Sequence, residues 1–75
     1  SEFTAEALEA RSDLSDAIEQ KDYTRLQLLV IELKGASDNL RLTEISVQLQ
    51  KLMNLRSAAD GKQVINDLYS LIDQL

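Results

Sequence analysis

The sequence of 75 residues contains no cysteine, histidine, proline or tryptophan, and only two glycines. The lack of cysteine excludes disulfides and thiolate sites. Without cysteine and histidine, a transition-metal site or nucleophile–base chemistry of the Ser–His or Cys–His kind is not expected. We therefore predict no enzymatic activity, no metal and no cofactor. The lack of proline, with alanine, leucine, glutamate, glutamine and lysine abundant, is typical of an all-α protein.

The formal net charge is −5, and no basic stripe interrupts the acidic character. Such a chain is a poor candidate for binding nucleic acid or anionic membranes. No apolar run approaches the ~18 residues that a membrane span needs, and no signal-peptide pattern is present. We therefore expect a cytoplasmic location, which a domain of a membrane-anchored sensor protein would share. Because the chain begins at Ser1 without methionine, we expect an excised domain and set residues 1–3 aside as a candidate cloning remnant.

Apolar residues recur at the helical period of about 3.6 along four segments. The periodicity predicts helices over about residues 4–20, 23–40 and 43–55, and a fourth helix that follows AADGKQ. The short connections favour antiparallel neighbours. The sequence therefore predicts a single domain, residues 1–75, folded as an all-α, antiparallel up-down four-helix bundle.

Polar residues at the start of each segment predict the helix caps. Thr4, Asp22 and Thr43 are candidate N-caps, and Asp60 with Gln63 has the spacing of a capping box. The apolar face of each segment predicts the core. The residues predicted to face inward are Ala7, Ala10, Leu14, Ala17, Ile18, Leu26, Leu29, Val30, Leu33, Ala36, Ser37, Leu40, Leu42, Ile45, Leu49, Leu52, Met53, Val64, Ile65, Leu68, Leu71, Ile72 and Leu75.

Two tyrosines are expected at the edge of this bundle. Tyr23 and Tyr69 each combine an apolar ring with a hydroxyl that needs a polar partner. We therefore predict that both rings are half-buried, with each hydroxyl at the bundle edge.

The outer face of the second predicted helix is unusual for a solvent face. A glycine in a helix interior costs ~1 kcal/mol relative to alanine, yet it lets another group approach the helix closely. The alternatives are helix–helix packing at Gly35 or tolerated drift, and Lys34 is either a solvated charge or a partner contact. Two neighbouring aliphatics on this face are typical of a protein–protein site. The predicted partner-binding residues are Thr24, Leu28, Ile31, Lys34, Gly35 and Asp38.

The segment DYTRLQLLVIELKGASDNL resembles the histidine-containing phosphotransfer (HPt) family of bacterial phosphorelays. That family has an acidic residue, a leucine four positions later, and a phosphoacceptor histidine followed by x-L-K-G, two small residues, x-N-L-G. The resemblance covers roughly residues 8–75 and implies an antiparallel four-helix bundle. The matching residues are Asp22, Leu26, Leu33, Lys34, Gly35, Ala36, Ser37, Asn39 and Leu40.

Two positions depart from the family pattern. Ile31 stands where the family has its phosphoacceptor histidine, and Arg41 stands where it usually has glycine. Isoleucine has no lone pair that could accept phosphate, so phosphorelay through histidine is excluded. The resemblance implies that Lys34 holds the position of the family's lysine beside the phosphoryl group, and that Gly35 holds that of the glycine that leaves room for the phosphate and the incoming receiver domain. Ile31 is a natural degenerate position, a deliberate substitution, or an ordinary exposed aliphatic in an unrelated bundle.

The resemblance implies a non-catalytic, HPt-like signalling module. Such a module would bind a response-regulator receiver domain or a histidine kinase of a two-component system without accepting phosphate. The alternative is a structural or oligomerisation bundle with no phosphorelay role, in which the exposed aliphatics form a homodimer surface.

Overall fold

The computed structural model describes residues 2–75, which form four α-helices and no β-strand. These are α1 (Glu2–Glu19), α2 (Tyr23–Asn39), α3 (Thr43–Met53) and α4 (Ala58–Ile72). The prediction of an all-α protein is confirmed. No helix in the described part of the chain is long and apolar enough to cross a membrane.

The helices enclose one apolar core. Helix α1 packs against α2 and α4, and α3 packs against the same two helices, whereas within residues 2–75 no Cα atom of α2 lies within 8 Å of one of α4. Each helix contributes a stripe at helical spacing because such residues share one face. The buried apolar residues are Phe3, Ala7, Leu14, Ala17, Ile18, Leu26, Val30, Leu33, Ile45, Leu49, Leu52, Ile65, Leu68, Tyr69 and Ile72.

Two residues at the ends of helices were predicted to face inward but are exposed in the structure. Leu40 and Leu75 are 55% and 59% exposed because both lie beyond the last turn that packs on the core. Phe3, which lies in the segment expected to be a cloning remnant, is 3% exposed and belongs to the core cluster. Its burial extends α1 two residues upstream of Thr4, which therefore lies inside the helix and is not its N-cap.

Helices α1 and α2 end in the same backbone motif. The N–H of Asp22 donates to the carbonyl of Ala17, and the N–H of Lys21 donates to the carbonyl of Ile18. This pair of bonds is a Schellman motif, and it places Lys21 at a φ of 55°. Glycine is favoured at such a position because it has no Cβ to clash with the backbone. The chain uses lysine there instead, so the usual sequence signal for a helix end is missing.

The end of α2 repeats this arrangement at the position where the sequence departs from the HPt pattern. The N–H of Leu42 donates to the carbonyl of Ser37, the N–H of Arg41 donates to that of Asp38, and Arg41 has a φ of 59°. A glycine at this position would relieve the left-handed backbone strain. Arg41 therefore keeps the backbone conformation that glycine favours but adds a charged side chain.

The starts of the later helices differ from the predicted caps, except at α2. The side chain of Asp22 caps α2 by accepting from the N–H of Arg25 at 3.2 Å. Thr43 is already helical, and Leu42 precedes α3 without a side-chain cap bond. The prediction of Thr43 as a cap was wrong.

Helix α4 begins earlier than the predicted capping box. Ser57 accepts from the N–H of Asp60 at 3.2 Å, so Asp60 lies in the first turn. Gln63 donates its side-chain amide to Asp67 at 3.0 Å. The predicted capping box of Asp60 and Gln63 was therefore wrong. Ser57, one turn upstream, has a side chain as short as that of Asp60, and its hydroxyl oxygen caps the helix.

The interface between α1 and α4 buries Tyr69 and Gly61 of α4. Tyr69 is 1% exposed, and its hydroxyl donates to the carbonyl of Ala7. The guanidinium of Arg11 lies 4.7 Å from the centre of its ring. Burial raises the pKa of the Tyr69 phenol to about 12, against the opposing influence of Arg11. Both tyrosines were predicted to be half-buried. For Tyr69, which is fully buried, that prediction was wrong, whereas Tyr23 keeps 39% of its surface exposed.

Candidate functional site

One face of α2 is open to solvent along its whole length. Residues on the opposite face, such as Leu26, Val30 and Leu33, fill the core, so the side chains of the outer face point to solvent. Leu28 and Ile31 are 64% and 58% exposed. We call this face the α2 strip; it comprises Thr24, Leu28, Ile31, Gly35 and Asp38, with Lys34 at its edge.

Gly35 leaves a gap between the side chains of the α2 strip. A Cβ atom built on Gly35 would meet no atom within 4 Å, apart from the backbone of its own helix, and the residue does not have a positive φ. Neither close helix packing nor a special backbone conformation therefore requires glycine at this position. The packing alternative considered from the sequence is wrong. The backbone at Gly35 is instead accessible to a group from outside the chain.

Lys34 and Asp38 form an ion pair at the edge of the α2 strip. The Nζ atom of Lys34 lies 3.0 Å from Oδ2 of Asp38, one helical turn away. Hydrogen bonding from the Ser46 hydroxyl, followed by that from Lys34, holds the pKa of the Asp38 carboxyl below its usual range. The ammonium group that the HPt resemblance assigns to a phosphoryl group thus has a carboxylate partner within its own helix.

Two buried hydroxyls lie directly beneath this ion pair. Ser37 has no exposed surface, and its hydroxyl donates to the carbonyl of Lys34 at 3.1 Å. The hydroxyls of Ser37 and Ser46 also share a hydrogen bond, in which Ser46 is the donor whenever the single Ser37 proton is on the Lys34 carbonyl. A buried hydroxyl needs a polar partner. Because Ser37 was predicted to face inward, a polar partner for it could have been expected on the side of α3 that faces α2. Ser46 was not identified as that partner from the sequence.

Two depressions border α2, one on each side. The α1/α2 groove, of about 410 Å³, has a floor of Ala10, Leu29 and Leu33 and is rimmed by Glu6, Glu9, Asp13 and Glu32. The α2/α3 groove, of about 480 Å³, is lined by Lys34, Asp38, Arg41, Leu42, Thr43, Ser46, Val47 and Gln50. The α1/α2 groove is therefore negatively charged, whereas the α2/α3 groove on the other side of α2 has a slight excess of positive charge.

The α2 strip exposes aliphatic and charged side chains together. Two of its exposed side chains, those of Leu28 and Ile31, are aliphatic, and Ile31 has no atom that can accept a phosphoryl group or a proton. Within residues 2–75, no group of three or more acidic side chains is placed to hold a metal ion. The structure brings the six predicted site residues onto one face. That arrangement can bury apolar groups of a partner and pair with its charges.

The α2 strip combines exposed aliphatics, an accessible stretch of backbone and a paired cation within about four helical turns. The neighbouring Arg41, which departs from the family pattern, contributes a charge to the adjacent groove. Comparison of the chain with protein-family models, with curated proteins and with solved structures finds no match.

Proposed function

We propose that the protein is a non-catalytic, HPt-like module of a two-component signalling system. It binds a receiver domain, or the catalytic part of a histidine kinase, through the α2 strip and accepts no phosphate. The antiparallel up-down arrangement of the four helices and a cytoplasmic location are parts of the same proposal.

The observation that carries the proposal is the exposure of Ile31 together with the residues that follow it. Ile31 is 58% exposed, and Lys34 and Gly35 follow it by three and four positions on the same helix face. This spacing matches the HPt pattern around its phosphoacceptor histidine. With isoleucine in that position, the surroundings of the site remain while the group that reacts is gone.

The α2 strip suits a modest, reversible contact. Leu28 and Ile31 are separated by one turn, and Gly35 lies one turn beyond Ile31, so a partner can bury both aliphatics against a nearly flat surface. An apolar patch of this kind covers roughly a few hundred Å², which is the size associated with transient association. A receiver domain held in this way would be sequestered or scaffolded without losing a phosphoryl group to the module.

Substitutions in the α2 strip test the proposal. We expect Leu28→Glu and Ile31→Asp each to lower affinity for receiver domains of the same organism by at least about tenfold, because a charge would have to be buried in the contact. Both side chains are solvent-exposed, so the free energy of unfolding should change by about 0.5 kcal/mol or less. Leu8→Glu is the matched control, since Leu8 is 51% exposed on α1.

Two outcomes of this experiment would contradict the proposal. The first is binding that Leu8→Glu weakens as much as Ile31→Asp, which would mean that any added charge reduces affinity. The second is the absence of binding to any receiver or kinase domain of that organism. Affinity is measured by isothermal titration and stability by thermal unfolding on the same samples.

Restoring the reactive group gives an independent test. We expect Ile31→His to accept phosphate from a phosphorylated receiver domain that the native chain binds, because the imidazole would be exposed beside Lys34. Phosphorylation is detected as an acid-labile modification by mass spectrometry. A bound receiver that transfers nothing to this variant would show that the family likeness around residue 31 is superficial.

The structural alternative predicts a different oligomeric state. If the module serves oligomerisation, sedimentation equilibrium will give a stable dimer of the native chain and a monomer for Ile31→Asp. The proposal instead predicts a native monomer whose α2 strip is free for another protein.

A further inference from the structure

The net charge of the protein is concentrated on one helix. Helix α1 contains six acidic residues and one arginine, which gives it a charge of −5. The rest of the chain contains seven acidic and seven basic residues, so it is neutral. A partner that lies on α2 is therefore adjacent to a strongly acidic helix on one side only.

The carboxylates at the α1/α2 groove are mostly uncompensated. Asp13 pairs with Arg25 at 3.0 Å. Glu6, Glu9 and Glu32 line the same groove and, within the described part of the chain, form no ion pair. The groove therefore presents three free negative charges above an apolar floor.

This acidic groove adjoins the α2 strip. Glu32 follows Leu28 by four positions, so the two side chains are neighbours on α2, and Glu32 also rims the groove. On the other side of α2, Lys34 and Arg41 face a single carboxylate, Asp38. The surface around the two exposed aliphatics thus changes from negative near α1 to slightly positive near α3.

We propose that the protein surface that covers the α2 strip carries lysine or arginine side chains along the edge that faces α1. This inference rests on the proposed function of the α2 strip and specifies the chemistry of the partner. Basic side chains there would meet Glu6, Glu9 and Glu32, whereas acidic ones would be repelled. The charge difference across α2 also fixes which way round the partner docks. A second copy of the same chain with its α2 helix antiparallel does not fit, because two α1 helices of like charge would be brought together.

Designed peptides test this chemistry without knowledge of the natural partner. Three amphipathic helical peptides of about five turns each share one leucine stripe. One edge of the stripe carries lysine in the first peptide, glutamine in the second and glutamate in the third. Each peptide is titrated into the isotopically labelled protein, and affinity is measured from the NMR shifts of the α2 amides. We expect the lysine peptide to bind at least about fivefold more tightly than the glutamine peptide and the glutamate peptide to bind most weakly.

A pair of charge reversals shows whether the position of the charge matters. We expect Glu9→Lys to weaken binding of the lysine peptide by about threefold, because it reverses a charge at the groove. Asp67→Lys makes the same change in net charge on α4, whose Cα atoms all lie more than 8 Å from those of α2, and should leave the affinity within about twofold. The lysine preference should also vanish between roughly 0.01 M and 1 M salt, as the Debye length falls from about 30 to 3 Å.

Three results would overturn the inference. These are equal affinity for the lysine and glutamate peptides, equal effects of Glu9→Lys and Asp67→Lys, or a native dimer that Ile31→Asp dissociates. The proposed function fails separately, when receiver and kinase domains do not bind at all. If a receiver binds through the α2 strip while the peptides show no charge preference, only the inference about charge is wrong.

Discussion

Replacing each of the two glycines by alanine should change stability in opposite directions. Gly35 lies in the interior of α2, where an added Cβ would meet no atom within 4 Å outside its own helix backbone. Gly61 lies in α4, where the same Cβ would lie 2.8 Å from Cγ2 and 3.1 Å from Cδ1 of Ile18, and 3.2 Å from Cδ1 of Leu55. The two substitutions therefore add the same methyl group to an open site and to a filled one.

The magnitudes follow from this difference in space. Gly35→Ala gains the helix propensity of alanine, about 0.5–1 kcal/mol, and nothing opposes it. For a domain of this size that gain raises Tm by roughly 2–8 °C. Gly61→Ala gains the same propensity, but it overpacks the core at a cost of about 1–3 kcal/mol, because Ile18 is 2% exposed and has no room to move. We expect a net loss of up to about 2 kcal/mol.

Urea unfolding of the two variants, followed by circular dichroism, measures both effects. The slope of the free energy against urea should stay at the native value, so that shifts of the midpoint report stability alone. A lower midpoint for Gly35→Ala would refute the open environment of Gly35. Equal gains for the two variants would refute the close packing of Gly61 against α1.

Binding should respond to Gly35→Ala in the opposite sense to stability. A partner that approaches the backbone at Gly35 would meet the new methyl group, so we expect affinity to fall about three- to tenfold while the fold becomes more stable. A variant that gains stability and keeps full affinity would show that the contact does not reach Gly35.

Three further predictions concern the helix ends and the two groups with shifted pKa values. Arg41→Gly should raise the unfolding free energy by about 1 kcal/mol in urea titrations, because glycine adopts the φ of 59° without strain. No gain would show that this strain is absent. Because the pKa of Tyr69 is raised to about 12, its ionisation should remove stability as the pH rises from about 10 through 12. Tyr69→Phe should flatten that part of the pH profile and, through loss of a buried hydrogen bond, lower stability by about 1 kcal/mol at neutral pH; an unchanged profile would contradict this. The lowered pKa of Asp38 means that its stabilising contribution is present above its ordinary value of 3.8 and is lost as the pH falls through the lowered one. Asp38→Asn should therefore make acid unfolding less steep, and an equally steep profile would show that the carboxylate contributes nothing.

The helices and most of the core could be predicted from the sequence because burial follows the helical period. Leu26, Val30, Leu33 and Ser37 recur at that period and are all buried, which also places Ile31 on the opposite face. The exposed α2 strip was therefore within reach of sequence reasoning. Its function was not, since the same face would be exposed in any bundle with this register.

The helix ends were harder to predict because the chain uses unusual residues there. Lys21 and Arg41 occupy positions where glycine would have announced the end of a helix. Near the start of α4, both Ser57 and Asp60 could cap, and only the backbone geometry decides in favour of Ser57. These errors are local and leave the core unchanged.

Features that depend on contacts between distant segments could not be predicted. Gly35 and Gly61 are the same residue in similar helices, yet one faces solvent and the other faces Ile18. Tyr69 is buried because its hydroxyl reaches the carbonyl of Ala7, far away in sequence. The charge difference between the grooves likewise arises only when α1 and α3 are placed on either side of α2.

The most direct test of the central claim is an NMR titration of the labelled protein with receiver domains of its own organism. We expect at least one receiver to shift the amides of Leu28, Ile31 and Gly35 while those of α4 stay unchanged, and we expect Ile31→Asp to abolish these shifts in a folded protein. Shifts confined to α4, or no response to any receiver or kinase domain, would contradict the assignment of the α2 strip as the binding surface.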